Sequence, residues 1–177
     1  MGSFAAFCIG VLLLYWPYIW CWYRKEAPGT YGIRWSADGR AVMETLAVTA
    51  VVLAVLTAAA FAWPWEDLPR HRGLRSVAEL AASGLAAAVI EETFFRGWLQ
   101  PLFAKKIGRY PAIVAVNLIF APIHLIAAPY WISLCTFFPG LVMGWLKYRH
   151  NSLLPPALFH FLGNVWAIWF FPSPVGF

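Results

Sequence analysis

Six apolar stretches, each long enough to cross or nearly cross a lipid bilayer, take up most of this 177-residue chain. A membrane-spanning helix needs about 20 mostly apolar residues. Here 62% of the residues are hydrophobic and 12% are charged, about half the charged fraction of a soluble domain. The predicted helices are residues 4–23, 41–63, 76–104, 110–128, 131–146 and 153–171. They predict an all-α protein, a polytopic membrane bundle of about six transmembrane helices, with residues 1–177 forming a single transmembrane domain.

The loops between these helices differ in their content of Lys and Arg. The loops after predicted helices one, three and five carry nine such residues: Arg24, Lys25, Arg34, Arg40, Lys105, Lys106, Arg109, Lys147 and Arg149. The loop between helices two and three carries Arg70, Arg72 and Arg75. Lys and Arg concentrate in the cytoplasmic loops of membrane proteins. The loops after helices one, three and five are therefore predicted to be cytoplasmic, and both termini are predicted to lie outside. The net charge of +5 is spread over these loops, so we expect no nucleic-acid partner.

Three charged residues, Glu91, Glu92 and Arg96, lie in the middle of the third apolar stretch, and its only other charge, Glu79, lies near its start. A charge in the middle of a membrane helix costs about 2.5–3.5 kcal/mol on insertion scales, so such residues indicate a functional site. Glu92 and Arg96 are four residues apart and share a helix face, which predicts an ion pair. Glu91 points about 100° away from Glu92, so we expect it to face a different group.

Further polar residues lie in predicted helices four and six. His124 belongs to helix four, while His160 and Asn164 share one face of helix six. At 1.5 Å of rise per residue, Glu91 and His124 lie about 20 Å and 21 Å from the cytoplasmic ends of their helices. His160 and Asn164 lie about 10 Å and 16 Å from that side. These overlapping depths predict one site inside the membrane.

These side chains suit the hydrolysis of a peptide bond. A carboxylate next to a histidine can hold and deprotonate a water molecule, and a second histidine with an amide can donate to a developing oxyanion. No Ser or Cys has a base at motif spacing, so we expect no covalent nucleophile. Cys8, Cys21 and Cys135 lie in apolar segments and are expected to be ordinary core residues.

Three alternatives to this interpretation remain open. Two His and one Glu are also the ligands of hydrolytic zinc sites, so the protein could be a zinc-dependent membrane metalloprotease using the same residues. The usual His-Glu-x-x-His helix is absent from the sequence. A non-catalytic membrane immunity or scaffold protein is the second alternative. A proton-coupled transporter is the third, and the lack of inverted repeats disfavours it.

Three short motifs occur in order along the chain: Glu-Glu-x-x-x-Arg, Phe-x-x-x-His and His-x-x-x-Asn. Together they resemble the motifs of the CPBP family, the C-a-a-X-protease and bacteriocin-processing intramembrane proteases. The matching residues are Glu91, Glu92, Arg96, Phe120, His124, His160 and Asn164. The resemblance covers predicted helices three to six. It makes residues 76–172 the catalytic core and residues 1–75 an N-terminal pair of helices.

The resemblance implies an intramembrane glutamic-type endopeptidase that needs no cofactor. In this family the first glutamate of the first motif and the histidine of the second activate water, which implies Glu91 and His124. The last motif forms the oxyanion site, which implies His160 and Asn164. The supporting residues would be Glu92, Arg96 and Phe120.

The resemblance also limits the partners. Family members cleave prenylated tails, bacteriocin leaders or C-terminal sorting signals, the last group being called myxosortases. We therefore expect a protein substrate with a membrane-anchored or lipidated tail, in contact with membrane lipids. The small size of the chain favours a dedicated bacterial processor of the myxosortase-like group, located in the bacterial inner (cytoplasmic) membrane.

Overall fold

A computed structural model describes residues 3–62, 74–127 and 131–170 of the protein. These residues are almost entirely helical, and no strand occurs among them. The helices are α1 (Ser3–Arg24), α2 (Gly39–Ala62), α3 (Leu74–Phe94), α4 (Gln100–Ile107), α5 (Arg109–Ala127), α6 (Phe137–His150) and α7 (Leu154–Phe170). One π-helical turn, Phe95–Leu99, joins α3 and α4 into a continuous helix. The described residues thus form six helical units, which confirms the predicted all-α bundle.

The described helices expose apolar side chains and bury polar ones. Trp22, Phe7 and Met43 are 81%, 68% and 65% exposed, whereas Glu92 and Arg96 are completely buried. Soluble monomers rarely expose apolar surface on this scale, whereas lipid accepts it. Among the described residues, Gly39–Ala62 and Arg109–Ile126 are long and apolar enough to cross a bilayer by length and composition. These features fit a helical membrane bundle.

The core of the bundle lies where α3 and its π-helical turn meet the last three helices. α3 packs against α7 and α1, α2 packs against α7, and α5 lies between α4 and α6. The main apolar cluster comprises Phe95, Val116, Phe120, Met143, Leu146 and Phe159. The cluster adjoins the buried charges of the first motif, because Phe95 precedes Arg96 on the π-helical turn.

Two glycines allow α6 to approach α5 closely. A Cβ atom on Gly140 would lie 1.9 Å from Asn117 Oδ1, and one on Gly144 would lie 2.7 Å from Ile113 Cγ2. The two glycines are four residues apart, so both lie on the same face of α6. Small residues at such a spacing let the backbones of membrane helices come together.

The segment between α1 and α2, residues 25–38, is attached to one end of the bundle, and we call it the strap. It contains a 3-10 turn, Pro28–Tyr31, followed by Gly32 at φ 74°, a conformation that glycine adopts without steric cost. Lys147 Nζ donates to Gly32 O at 2.7 Å. Arg34 O accepts from the backbone N–H of Leu153, also at 2.7 Å. These contacts hold the strap against the corner between α6 and α7.

Tyr31 fastens the strap to α1 and α4. Its hydroxyl donates to Glu26 and accepts from Trp20 Nε1 at 3.2 Å. Lys105 Nζ lies 4.3 Å from the centre of the Tyr31 ring, within the range of a cation–π contact. Burial, followed by the hydrogen bond to Glu26, raises the pKa of Tyr31 above its ordinary value. Tyr31 thus packs the strap against α1 and α4.

The predicted bounds of the fifth helix, residues 131–146, are wrong at both ends. Trp131–Thr136 form a 3-10 turn, and the α-helix runs over Phe137–His150. Pro139 has no N–H, so it is tolerated in the first turn of an α-helix and disfavoured in its interior. Lys147, predicted in a loop, therefore belongs to α6. The predicted ends of helices two, four and six, at residues 63, 128 and 171, lie outside the described residues.

Candidate active site

Glu92 and Arg96 form the predicted ion pair. Arg96 Nη1 donates to Glu92 Oε1 at 3.1 Å, and both side chains are completely buried. Arg96 Nη2 also donates to Asn117 Oδ1 at 3.0 Å and to Gly140 O at 3.3 Å. The guanidinium carbon lies 4.1 Å from the centre of the Phe120 ring. Further hydrogen bonds are needed to stabilise such a buried pair. α5 and α6 supply acceptors for Arg96 Nη2, whereas Arg96 Nε and Glu92 Oε2 are buried without a partner among the described residues.

The π-helical turn, Phe95–Leu99, places polar side chains of one helix against α6. Its final hydrogen bond runs from Gln100 N–H to Phe95 O. The Gln100 side chain donates through Nε2 to Gly144 O at 3.1 Å. Arg96 makes the equivalent contact with Gly140. Turns of this kind are rare and are found frequently at functional sites.

Glu91 faces two imidazole rings. Its Oε2 lies 3.9 Å from His124 Nε2 and 3.8 Å from His160 Nε2. This oxygen is buried and has no hydrogen-bond partner among the described residues. Both distances are too long for a direct hydrogen bond. A water molecule can bridge polar atoms that are too far apart for a direct hydrogen bond.

The other nitrogen of each ring has a partner that fixes the orientation of the ring. His124 Nδ1 lies 2.9 Å from Phe120 O, and His160 Nδ1 lies 2.9 Å from Glu92 Oε1. A carbonyl oxygen and a carboxylate only accept hydrogen bonds, so each Nδ1 carries the proton. In the neutral rings both Nε2 atoms are therefore acceptors, and both face Glu91.

Asn164 is held away from this cluster. Its Nδ2 donates to Gly84 O at 3.0 Å. Gly84 precedes Glu91 by seven residues, about 10 Å along the helix. The structure thus brings Glu91, His124 and His160 together and places the Asn164 amide about two turns of α3 away from them.

The types of side chain at the site would suit a metal ion, but their grouping does not. Glu91, His124 and His160 are suitable zinc donors, and hydrogen bonds behind the Nδ1 atoms are also found behind histidines that bind metals. Among residues 3–62, 74–127 and 131–170, however, no three His, Cys, Asp or Glu side chains are grouped so that they could hold a metal ion. The absence of a cofactor stays a prediction.

Two polar residues of the site region were not singled out as partners of the first motif. Gln100 lies one turn beyond Arg96 in the same apolar stretch and is completely buried. Asn117 lies seven residues before His124, and its side chain contacts Arg96. Both could have been found from the sequence, because each amide lies four or seven residues from a motif residue and so on the same helix face as that residue.

In this helical membrane bundle, the Glu91 carboxylate faces the Nε2 atoms of two imidazole rings whose orientations are fixed. Such an arrangement is typical of a hydrolase whose site lies within the membrane. The family model for Type II CAAX prenyl endopeptidase Rce1-like proteins matches residues 73–166, more than half of the chain. The chain therefore belongs to this family of CAAX-type intramembrane proteases. No curated protein and no solved structure gave a significant match.

Proposed function

We propose that the protein is a glutamic-type intramembrane endopeptidase that hydrolyses a peptide bond near the tail or membrane anchor of a protein substrate. One observation carries the proposal. Glu91 Oε2 is buried without a hydrogen-bond partner among the described residues and lies 3.8 and 3.9 Å from two Nε2 atoms. One water molecule can bridge such gaps, and this water would be the nucleophile.

In the proposed reaction, Glu91 and His124 activate that water. The Phe120 carbonyl keeps the proton of neutral His124 on Nδ1, which leaves Nε2 to accept a hydrogen bond from the water. Glu91 removes one proton as the water oxygen attacks the carbonyl carbon of the scissile peptide. The same carboxyl group then returns this proton to the leaving nitrogen as the C–N bond breaks. The products are a carboxyl terminus and an amine.

The tetrahedral intermediate needs hydrogen-bond donors for its oxyanion, and His160 is the proposed first donor. The Glu92 carboxylate accepts from Nδ1 of this ring and so keeps Nε2 directed at the reacting atoms. In the imidazolium form both ring nitrogens carry a proton, so His160 would keep its hydrogen bond to Glu92 and donate from Nε2 to the oxyanion. Asn164, the second donor that the family resemblance implies, donates to Gly84 O about two turns of α3 away, so it would have to leave this carbonyl before it could donate to the oxyanion.

The proposed substrate is a protein whose tail is lipidated or anchored in the membrane. The family is described by its action on prenylated CAAX tails. A prenylated tail and a transmembrane sorting segment would each hold a peptide bond close to the bilayer, where a membrane-embedded site can bind it. Since Glu91 lies within a bundle with an apolar outer surface, a substrate that partitions into the bilayer reaches it more readily than a soluble peptide.

Cleavage by the purified full-length chain tests the proposal. Peptides with a prenylated tail and peptides with a transmembrane sorting segment are incubated with the chain in detergent, and the products are identified by mass spectrometry. Glu91→Gln should lower the rate about 10²–10⁴-fold, the usual contribution of a general base. Glu79→Gln is the matched control, because this carboxylate is on the same helix and 66% exposed. Equal rates for the two variants would refute the proposed role of Glu91.

A further inference from the structure

The buried ion pair of Glu92 and Arg96 is joined in an incomplete way. Arginine and a carboxylate frequently form two parallel hydrogen bonds, because the guanidinium fork matches the two carboxylate oxygens. Here a single hydrogen bond of 3.1 Å joins Arg96 Nη1 to Glu92 Oε1. Arg96 Nε and Glu92 Oε2, a donor and an acceptor, are both buried without a partner among the described residues. Unpaired buried groups are costly, so a contact outside the pair must hold the guanidinium in this orientation.

Asn117 on α5 makes this contact. Its Oδ1 accepts from Arg96 Nη2 at 3.0 Å, while Gly140 O accepts from the same nitrogen at the longer distance of 3.3 Å. The Asn117 amide is itself fixed, because its Nδ2 donates to Ile113 O at 2.8 Å and the side chain is completely buried. Since Nδ2 is used in this way, Oδ1 is the atom that faces Arg96. The hydrogen bonds of Nη2 therefore go to α5 and α6.

The oxygen that Arg96 binds is also the one that orients His160. Glu92 Oε1 accepts from Arg96 Nη1 and lies 2.9 Å from His160 Nδ1. In an ion pair with two parallel hydrogen bonds, the carboxylate and the guanidinium become coplanar. The Glu92 carboxylate would then turn towards Arg96 Nε, and Oε1 would leave the Nδ1–H group of His160. The single hydrogen bond therefore keeps His160 in place, although it leaves two buried atoms unpaired.

We propose that Asn117 is a positioning residue for the hydrolysis, because its hold on Arg96 Nη2 keeps Glu92 Oε1 on His160 Nδ1. Its effect on the rate rests on the proposed function, whereas its effect on His160 rests only on the observed hydrogen bonds. Asn117 belongs to none of the three motifs. It acts from α5 on an ion pair carried by α3 and its π-helical turn, and through this pair on a histidine of α7.

Asn117→Leu and Asn117→Asp test the hold on Arg96. Leucine has a similar size and no acceptor, so the guanidinium becomes free to turn and His160 loses its orientation. The kcat of Asn117→Leu should fall about 10²-fold, the effect of a displacement of about 1 Å at a reacting group. KM should stay unchanged, because Asn117 acts on His160 and not on the substrate. Asn117→Asp should restore most of kcat, because a carboxyl oxygen still accepts from Arg96.

Gln100→Leu is the control for the loss of a buried amide. Gln100 is also completely buried and also binds α6, through a hydrogen bond of 3.1 Å from Nε2 to Gly144 O. In the described part of the chain, its side chain has no hydrogen bond to Arg96 or Glu92. Gln100→Leu should therefore lower the unfolding temperature in detergent without the fall in kcat. A purely structural role for Asn117 would instead give the two leucine variants the same kcat per folded chain, which would overturn the proposal.

Nuclear magnetic resonance of His160 tests the proposal without requiring cleavage. The full chain has four histidines, so ¹⁵N labelling of their rings gives few signals, and His160→Gln identifies that of His160. The parent and Asn117→Asp should show a hydrogen-bonded Nδ1–H proton on His160, and Asn117→Leu should lose it. An unchanged His160 signal in Asn117→Leu overturns the proposal. A changed signal in a chain whose parent cleaves nothing refutes the proposed function and leaves the hold of Asn117 on the site established.

Discussion

Glu92 Oε1 and His160 Nδ1 lie 2.9 Å apart, across the contact between α3 and α7. The same oxygen accepts from Arg96 at 3.1 Å. One completely buried carboxylate therefore neutralises a guanidinium and orients an imidazole that faces Glu91. Substitutions at Glu92 should affect both the stability of the bundle and the geometry of the site, whereas substitutions at Glu91 should affect the chemistry.

A double-mutant cycle tests the coupling between Glu92 and Arg96. Glu92→Gln leaves the buried guanidinium without a counterion, and Arg96→Leu leaves the carboxylate without one. Breaking a well-buried pair in this way costs about 3–5 kcal/mol. The double variant should be more stable than the sum of the single effects predicts, because no unpaired charge remains. Thermal unfolding in detergent measures all three variants beside the parent.

Additive losses in this cycle would contradict the pairing. Arg75 and Glu79 provide the reference pair, because they have the same four-residue spacing and a hydrogen bond of 3.0 Å, with side chains 93% and 66% exposed. An exposed pair of this kind contributes about 0.3–0.5 kcal/mol. Its cycle should therefore show little coupling in the same assay.

Glu91→Gln should leave the unfolding temperature unchanged or raise it. Glu91 Oε2 is buried without a hydrogen-bond partner among the described residues, so its charge is costly to the folded state. The amide keeps the size and removes the charge. The measurement is the same thermal unfolding, and a loss as large as that of Glu92→Gln would show that the roles of the two glutamates are reversed.

Much of the site could be predicted from residue spacing within single helices. The spacing of Glu92 and Arg96 predicted their ion pair, and it also predicted that Glu91 faces another group. The depths in the membrane that were estimated by counting residues along different helices were less reliable. Asn164 matched the depth of Glu91 better than His160 did, yet His160 is the residue that contacts the glutamates.

The structure explains this error in depth. The estimate assumed that the last helix starts at the membrane surface. Leu153, just before α7, is instead completely buried, and its N–H donates to Arg34 O of the strap. α7 therefore starts inside the bundle, and every residue on it lies deeper than its distance from the helix start indicates. The hydropathy of a sequence does not show whether a loop folds back over the end of a helix, so this depth could not be predicted.

Lys147 shows a second limit of sequence patterns. Its charge places it in a loop by hydropathy, but the structure buries it at the end of α6 with its ammonium on Gly32 O. A lysine side chain is long enough to reach a backbone carbonyl while its methylene groups pack against apolar neighbours. Such a contact depends on tertiary structure, so charge alone could not reveal it.

We predict that the purified chain is active without stoichiometric zinc. This follows from the family resemblance and from the grouping of side chains in the described residues, which does not suit a metal ion. Elemental analysis and cleavage after exhaustive chelation provide the measurement. One tightly bound zinc ion per chain, with activity that is lost on its removal and restored on its addition, would instead establish the metalloprotease alternative.

Gly140→Ala should damage the Arg96 network, although it adds only one methyl group. The new Cβ atom would lie 1.9 Å from Asn117 Oδ1 and 3.2 Å from Arg96 Nη2. Asn117 must move, so Arg96 loses an acceptor, and overpacking of this kind costs about 1–3 kcal/mol. Gly163→Ala on α7 is the control, because nothing lies within 4 Å of its Cβ position. Alanine is the better helix former by about 1 kcal/mol, so the control should be neutral or more stable than the parent. Thermal unfolding ranks the two variants, and an equal effect at both positions would contradict a close packing of α6 on Asn117.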